Sequence, residues 1–345
     1  MQRRTIAHIA CLGLVLIILP SVALAQYQLT NLVSKENNGT ARHFDKLLVN
    51  AWGLTYAPGS PFWISDNGSG WSTLYKSDGT KQGLQVKIPA ASGSGEGSPT
   101  GIVFNGSAFG GSPDFLVQGW PSIFIFATLD GTISGWAPQS NLHNAILAVT
   151  NSGSVYTGLA VTSRPSGNFL FAADNANNRV DMFDGNFKLV KSFTDTTLPS
   201  GFAPFGIQDI DGLLYVAFAS TSGGPGGYID LFSEDGTFLK HLAQGAPLNQ
   251  PWGMAAAPTN FGPLSNTLLV SNNIDKDSTI NSFNGITGEF VGTVRDTSGK
   301  PIHIDQLWGI EFGGGSPANG AKNELFFTAG PNNNKNGTFG SIVLK

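Results

Sequence analysis

The sequence is poor in cysteine and in charged residues. Its 345 residues include a single Cys, and 12% of them are charged, whereas about 25% is usual for a soluble domain. The formal net charge of -4 gives no basic excess, which a protein needs to bind nucleic-acid phosphates with release of counterions. A single Cys excludes an intrachain disulfide framework, and the charge balance argues against nucleic acid as a partner.

The sequence also lacks an apolar run long enough to cross a membrane. The N-terminal run over residues 9–19 is shorter than the roughly 20 residues of a transmembrane helix. Two arginines precede it, and small residues follow up to Ala25, which is the pattern of a cleaved secretory signal peptide. We therefore expect a signal peptide over residues 1–25, which contains Cys11. The mature domain, residues 26–345, would then be exported to the periplasm or the cell exterior, with no membrane span.

Glycine is abundant, with 45 residues, and six glycines open a repeated pattern in which an aliphatic or Met residue follows the Gly and leads into an apolar strand. They recur at intervals of 47 to 57 residues, and they are Gly53, Gly101, Gly158, Gly206, Gly253 and Gly309. Two further strand-like runs follow each of them. In four repeats an Asp-Gly or Asn-Gly pair then predicts a tight hairpin with positive φ angles: Asp78-Gly79, Asp184-Gly185, Asp235-Gly236 and Asn284-Gly285.

Six repeats of four antiparallel strands predict an all-β fold, a six-bladed β-propeller of four-stranded blades. A β-sandwich would explain many short strands, but it predicts no long-period repeat. The sixth repeat ends at Lys345 directly after its third strand, while residues 27–33 form an isolated strand before the first repeat. We therefore expect the N-terminal strand to complete the last blade and close the ring.

One repeat has the pattern of a known blade motif. The runs Gly158-Leu159-Ala160-Val161, Phe169-Leu170-Phe171-Ala172-Ala173-Asp174 and Asn177-Asn178-Arg179-Val180-Asp181-Met182-Phe183 are similar to an NHL repeat. Over nearly the whole mature length, including Asn50-Ala51-Trp52-Gly53-Leu54, the chain resembles a family of exported bacterial β-propeller proteins that has no assigned activity. The resemblance implies an exported six-bladed propeller, and it carries no catalytic residues to transfer.

Polar residues flank the first two strands of several repeats. The loops before the first strands and the ends of the second strands are expected to converge at one mouth of the central channel, which is where a propeller would place a binding site. The candidate ligand-binding residues are Asn50, Asp66, Asp174, Gln250, Asn272 and Asp305. Asp66 and Asp174 are candidate metal ligands for a hard divalent cation such as Ca²⁺. The alternative is structural, because Asp and Asn after a strand commonly cap the next turn.

The residues directly before the repeated glycines are largely aromatic. In metal-dependent six-bladed lactonases, metal-binding Asn and Asp residues occupy these positions, whereas this sequence has Trp52, Phe205, Trp252 and Trp308 there, with Thr in the other two repeats. That difference argues against transferring the lactonase metal site. The aromatic side chains could form a stacking platform for a sugar or another planar ligand, or they could pack between blades.

Two functions are consistent with the sequence. The first is a binding or scaffold module for an unidentified small-molecule, glycan or protein ligand, and it is favoured because no recognisable catalytic set is present. The alternative is a metal-assisted hydrolase, lactonase or lyase at the channel mouth, with His303 as an acid or base. The sequence identifies no catalytic residue, and whether the protein is an enzyme stays open.

Overall fold

The computed structural model of the protein describes residues 26–164 and 167–345. The expected signal peptide, residues 1–25, lies outside the described residues. Within the described part of the chain, no helix combines the length and the apolar character needed to cross a membrane. Six sheets of at least four strands, with an additional two-stranded hairpin, form the structure, which confirms the predicted all-β, six-bladed propeller.

The strands follow one another blade by blade. The chain starts with β1 (Tyr27–Ser34) and β2 (His43–Phe44), and blade one follows as β3 (Ala51–Thr55), β4 (Phe62–Asp66), β5 (Trp71–Tyr75) and β6 (Lys81–Lys87). Blade two contains β7 (Pro99–Phe104), a 3-10 turn at Gly106–Phe109, a hairpin of β8 (Leu116–Val117) and β9 (Trp120–Pro121), then β10 (Phe124–Thr128), β11 (Thr132–Trp136) and β12 (Ile146–Thr150). Blade three contains β13 (Tyr156–Arg164), β14 (Gly167–Asp174), β15 (Arg179–Phe183) and β16 (Leu189–Phe193).

The second half of the ring has the same organisation. Blade four contains β17 (Phe202–Ile210), β18 (Leu213–Ser220), β19 (Tyr228–Ser233) and β20 (Phe238–Gln244). Blade five contains β21 (Pro251–Ala256), a 3-10 turn at Gly262–Leu264, β22 (Leu268–Asn272), β23 (Ile280–Phe283) and β24 (Phe290–Thr293). Blade six contains β25 (Leu307–Phe312), β26 (Leu325–Ala329) and β27 (Thr338–Leu344), and β1 and β2 complete it in the order β25-β26-β27-β1-β2.

The N-terminal strand closes the ring as the sequence predicts. Strand β1 pairs antiparallel with β27, with a register from Tyr27 opposite Leu344 to Ser34 opposite Thr338. The backbone NH of Lys345 also donates to the carbonyl of Gln26 at 2.9 Å. Because β1 pairs with β27, the third strand of the last blade is not left as an unpaired edge.

The repeated glycines lie where the innermost strands of neighbouring blades approach each other. A Cβ atom placed on Gly53 would lie 2.6 Å from the carbonyl oxygen of Thr100, and one on Gly253 would lie 2.6 Å from that of Trp308. Each of these partners belongs to the innermost strand of the next blade. The glycines therefore recur because the inner ring leaves no room for a side chain at this position.

The hydrophobic core lies between blades. One cluster joins blades five and six and includes Phe261, Leu269, Phe327 and Ile342, all buried. Further clusters of buried residues lie around the ring in the same way. Because alternate side chains of each strand point to opposite faces of the sheet, both faces of each blade pack against a neighbour, and the innermost strand edges are left facing the axis.

Candidate functional site

An aromatic cluster fills the axis where the inner strands begin. Trp52 stacks on Trp308 with ring centroids 3.6 Å apart, and Trp252 lies 6.0 Å from Trp52 and 5.8 Å from Trp308. Phe205 of blade four lies 6.3 Å from Trp52 of blade one. Blades one and four are opposite each other in a ring of six, so rings this close must meet on the axis.

The aromatic residues before the repeated glycines form neither a stacking platform for a ligand nor a simple packing contact between two blades. Trp52, Trp252 and Trp308 are 6%, 8% and 3% exposed, which leaves little ring surface for a stacked ligand. They also contact one another across the axis and are not confined to the junction between two blades. Two are fixed by their indole NH groups, because Trp252 donates to the carbonyl of Thr157 at 2.9 Å and Trp308 to Asn50 Oδ1 at 3.0 Å. The cluster is therefore a plug that closes the channel.

Three of the predicted site residues support the loops before the inner strands. Asn50 accepts from Trp308 and donates to Asn67 Oδ1 at 3.0 Å. Gln250 donates to the carbonyls of Ser220 and Gly224 at 3.2 and 3.0 Å. The Asp305 carboxylate accepts from the backbone NH groups of residues 276 and 332, at 2.9 and 3.0 Å. Each side chain thus joins backbone or side-chain groups of separate segments, which is a structural role.

The three residues at the ends of second strands are held within their own blades. Asp66 is fully buried and accepts from Thr73 Oγ1 at 2.8 Å. Asn272 donates to the carbonyl of Pro247 at 2.8 Å and accepts from the NH of Asn249 at 3.0 Å. Burial raises the pKa of Asp66 well above its usual range, opposed by the hydrogen bond from Thr73.

Asp174 has the fullest set of partners. Its carboxylate accepts from Ser154 Oγ at 2.8 Å, from the NH of Val155 at 3.1 Å and from Asn177 Nδ2 at 2.7 Å, and Arg179 Nε lies 3.4 Å away. All of these residues belong to blade three or its entry loop. Among the described residues, no hydrogen bond or ion pair joins Asp174 to Asp66. Their assignment to one Ca²⁺ ion stays a prediction, and these contacts favour the structural alternative.

The asparagine that follows each of these residues has a role that the sequence did not predict. Asn67, Asn175 and Asn273 each donate to a carbonyl at the start of the next blade, on Pro99 at 3.1 Å, Pro204 at 3.0 Å and Leu307 at 3.0 Å. The signal was present as the pairs Asp66-Asn67, Asp174-Asn175 and Asn272-Asn273. The second member of each pair links adjacent blades.

His303, the candidate acid or base, lies on the surface. Its side chain is 48% exposed, and Nδ1 is 3.8 Å from a carboxylate oxygen of Asp277, which is itself 78% exposed. A pair this open is screened by water and is weak. The catalytic role of His303 stays a prediction, and its side chain is half exposed to solvent and not held in a buried site.

Beyond the aromatic plug, the axis widens into a cavity of about 440 Å³. The inner strands of all six blades line it, from Trp252 of the plug to Gln208, which is exposed. Apart from Trp252 of the plug, the polar and aromatic residues of this lining are Thr55, Tyr56, Phe104, Gln208, Asp209, Glu311 and Phe312. Its described lining contains two carboxyl groups and no Lys, Arg or His. The volume is in the range of about 300–1,000 Å³ that is typical of small-molecule sites.

Glu311 is the least compensated group in the cavity. Among the described residues, no hydrogen bond or ion pair reaches its carboxyl group, and burial raises its pKa well above the usual range. Glu311 is partly exposed, and it lines the cavity. Burial, and then the nearby Glu311, raise the pKa of Tyr56 to about 12. Within the described lining, Glu311 is therefore a carboxyl group that no cation or hydrogen-bond donor reaches.

Comparison with known proteins gives relatives by sequence. The chain is 31% identical over 345 residues to the uncharacterized protein R648 of Acanthamoeba polyphaga mimivirus, covering 94% of this chain and 82% of that protein. It is 30% identical over 344 residues to the uncharacterized protein L690 of the same virus, covering 94% and 87%. The chain belongs to the family of these mimivirus proteins. No family model matches it.

Solved structures similar to this member of the R648 family are propellers of several functions. A gluconolactonase from Xanthomonas campestris matches with a TM-score of 0.57 and 14% identity, covering 86% of each chain. The WD40 propeller domain of Doa1 matches with a TM-score of 0.51 and 12% identity, covering 91% of this chain and 96% of that domain. At such identities the likeness establishes the fold alone, because propellers with one architecture have unrelated activities.

Proposed function

We propose that this protein is an exported binding propeller that holds a small organic cation in its axial cavity, with Glu311 as the anionic anchor. The observation that carries the proposal is the carboxyl group of Glu311, which lies in a cavity whose described lining has no basic side chain. A buried charge without a partner is costly. A cationic ligand group would supply that partner.

The rest of the lining suits the same ligand class. Three aromatic residues, Tyr56, Phe104 and Phe312, line the cavity, and aromatic rings attract ammonium groups by about 0.5–2 kcal/mol. The second carboxyl group of the lining, that of Asp209 on blade four, is already engaged, because it accepts a hydrogen bond from the NH of Gly212 at 3.2 Å. An amine or quaternary ammonium ion would thus meet carboxylate and aromatic groups on different sides.

A binding role is favoured over the metal-assisted enzyme at the channel mouth. The positions where metal-dependent lactonases have Asn and Asp ligands contain Trp52, Trp252 and Trp308 here, and these rings fill the axis. The polar residues expected at that mouth are engaged in loop support. The similarity to a gluconolactonase supports only the architecture.

Export is the second part of the proposal, and it rests on the signal-like residues 1–25. The first strand of the fold begins at Tyr27, directly beyond the expected cleavage after Ala25, so cleavage would leave the whole propeller intact. The intact mass of the exported protein tests this part. A chain that starts at Gln26 supports it, and a chain that retains Met1 to Ala25 contradicts it.

Calorimetric titration with choline and putrescine tests the binding site. We expect the wild-type protein to bind at least one of them, and we expect Glu311→Gln to weaken that binding by at least about tenfold, equivalent to about 1.4 kcal/mol. The matched control is Glu289→Gln, the same change at an exposed position in the turn before β24. A second control is 3,3-dimethyl-1-butanol, which has the shape of choline without its charge.

The outcomes separate charge recognition from simple filling of a cavity. Loss of binding in Glu311→Gln, with retention in Glu289→Gln and weaker binding of the neutral alcohol, supports the proposal. Absence of binding by both cations, or equal binding by the Glu311→Gln protein, overturns it.

A further inference from the structure

A second cluster of chemically active groups lies at the outer side of the ring, between blades three and four. Asp195 follows β16 of blade three, Asp230 lies on β19 of blade four, and His241 lies opposite Asp230 on the neighbouring strand β20. One ligand atom from each of the three residues lies within 4.8 Å of the others. The cluster is separate from the axial cavity, whose lining contains none of these residues.

The two carboxyl groups of the cluster are buried and incompletely paired. Asp230 is 0% and Asp195 is 4% exposed. His241 Nδ1 lies 2.8 Å from Asp230 Oδ1 and 3.3 Å from Asp195 Oδ2. Among the described residues, Asp195 Oδ2 and Asp230 Oδ2 have no hydrogen-bond partner. Two buried carboxylate oxygens without a hydrogen-bond donor at one place need a cation or protons to be stable.

The equivalent position in blade three shows a carboxylate with complete pairing. Asp181 lies opposite Ser192 in the same ladder arrangement. It accepts from Ser192 Oγ at 2.6 Å and from Tyr156 OH at 2.9 Å, and Arg179 Nε lies 2.8 Å away. The repeat can therefore compensate a buried Asp at this position with side chains alone.

Blade four has different residues at two of the positions that compensate the buried carboxylate in blade three. Tyr228 stands two residues before Asp230, where blade three has Arg179, and His241 stands where blade three has Ser192. The guanidinium is lost, and a metal-ligating imidazole is gained. A second carboxylate, Asp195, is added from the loop. The exchange turns a compensated carboxylate into a set of three ligand side chains.

Hydrogen bonds around the cluster orient the imidazole toward the carboxylates. Thr197 Oγ1 donates to Asp195 Oδ1 at 2.7 Å, and the same hydroxyl lies 3.1 Å from His241 Nε2. Since the hydroxyl proton is used on Asp195, its oxygen accepts from Nε2–H. Nδ1 then faces two carboxylate oxygens, either as an N–H donor or, where a cation takes the place of that proton, through its lone pair.

We propose that His241 Nδ1, Asp195 Oδ2 and a carboxylate oxygen of Asp230 bind a divalent transition-metal ion of the zinc class. One imidazole and two carboxylates are suitable zinc ligands, with bonds of about 2.0–2.2 Å, and a water can take the fourth tetrahedral position. Thr197 acts behind the ligands, because it holds both the His241 ring and Asp195, as groups behind metal ligands commonly do. His241 is 34% exposed, so an ion has a path from solvent.

Zinc uptake by the full mature protein tests the proposal. The protein is treated with a chelator, and zinc is then titrated in competition with a chromophoric chelator. We expect uptake of one zinc ion per chain, with a loss of affinity beyond about a hundredfold in His241→Ser, which installs the residue of blade three. We expect Thr197→Val to lose about 10–100-fold.

The matched control is His143→Ser, the same change at an exposed loop histidine, which should leave zinc affinity unchanged. Should His241→Ser fail to fold, as judged by circular dichroism, Asp195→Asn takes its place, because Asp195 lies in a loop. Zinc uptake that disappears in the cluster variant and persists in His143→Ser supports the site. No uptake by the wild-type protein, or equal uptake by the folded cluster variant, shows that protons alone occupy the cluster and overturns the proposal.

Discussion

Buried carboxyl groups in this propeller differ mainly in how many donors surround them. Asp174 is fully buried, and Ser154, Asn177 and the NH of Val155 donate to it. Such donors offset much of the cost of removing the group from water. Glu311 has no such donor among the described residues, and burial alone raises its pKa. One carboxylate is therefore part of the scaffold, while the other reduces the stability of the ligand-free fold when it ionises.

We predict that Glu311→Gln raises stability at neutral pH. The folded-state pKa of Glu311 is raised, whereas the unfolded value is about 4.3. As the pH rises above about 4, the unfolded chain loses this proton more readily than the folded chain, and the free energy of unfolding falls until the pH passes the folded-state pKa. Thermal unfolding of both proteins between about pH 4 and 8 measures the difference.

The two unfolding curves should coincide near pH 4 and separate as the pH rises, with the variant more stable. Glu289→Gln is the control, since Glu289 is exposed, and its curve should follow the wild type throughout. A constant difference between Glu311→Gln and the wild type across this pH range would show that ionisation of Glu311 does not affect stability.

The roles of individual polar residues were harder to predict from the sequence than their positions in the repeat. The columns of the repeat located Asp66, Asp174 and Asn272 at the ends of second strands, and the strands end there. Their hydrogen-bond partners depend on loops such as the one that contains Ser154, whose path has no local signature. Nothing in the sequence distinguishes Glu311, because the repeated polar residues precede the glycines, while the cavity is lined mainly by the residues that follow them.

At the scale of strands, the repeated glycines set how closely blades approach. Gly253 on β21 has the carbonyl oxygen of Trp308 and the hydroxyl of Ser271 where a Cβ atom would be placed, at 2.6 and 2.9 Å. The Ser271 hydroxyl itself donates to the carbonyl of Trp308 and accepts from the NH of Gly253. A side chain here would have to separate two inner strands that are joined by these bonds.

We predict that Gly253→Ala lowers the free energy of unfolding by about 1–3 kcal/mol, as overpacking of a rigid interior does. Chemical denaturation measures the loss. Gly83→Ala on β6 is the matched control, because nothing lies within 4 Å of the added Cβ and the residue is exposed. Equal stability of the two variants would show that the inner strands can move apart without cost.

Hairpins between third and fourth strands were predicted correctly in place and only partly in conformation. Gly79 and Gly236 have the expected positive φ angles of 90° and 77°. In blades three and five the positive φ falls on Phe187, at 61°, and Gly288, at 77°, and the glycines of the Asp-Gly and Asn-Gly pairs do not adopt it. In blade three the Asp184 side chain accepts from the NH groups of residues 186 and 188. A turn closed by this side chain therefore replaces the expected tight hairpin turn.

At the scale of the molecule, closure of the ring was predictable because it follows from counting strands. Six repeats with three strands in the last one require a fourth strand from elsewhere, and β1 provides it. The aromatic plug was not predictable in the same way. The sequence shows Trp52, Trp252 and Trp308 in equivalent positions, but only the closed ring brings them together on the axis.

Strand β1 joins two blades as well as completing one. It pairs with β27 along its length, and Tyr27 also donates through its NH to the carbonyl of Arg295 at 2.9 Å and through its hydroxyl to that of Phe261 at 2.7 Å. Arg295 and Phe261 belong to the blade-five part of the chain. Loss of this strand would therefore expose the edge of β27 and remove a link between blades five and six.

We predict that deletion of residues 27–33 lowers the melting temperature by several degrees or more and promotes aggregation, because unpaired strand edges recruit other chains. Differential scanning calorimetry and size-exclusion chromatography measure the two effects. Deletion of residues 92–95, which are exposed loop residues, is the control for chain shortening and should change neither greatly. If the protein without residues 27–33 melts and elutes as the loop-deleted protein does, blade six is stable with three strands, and closure by β1 contributes little to the stability of the ring.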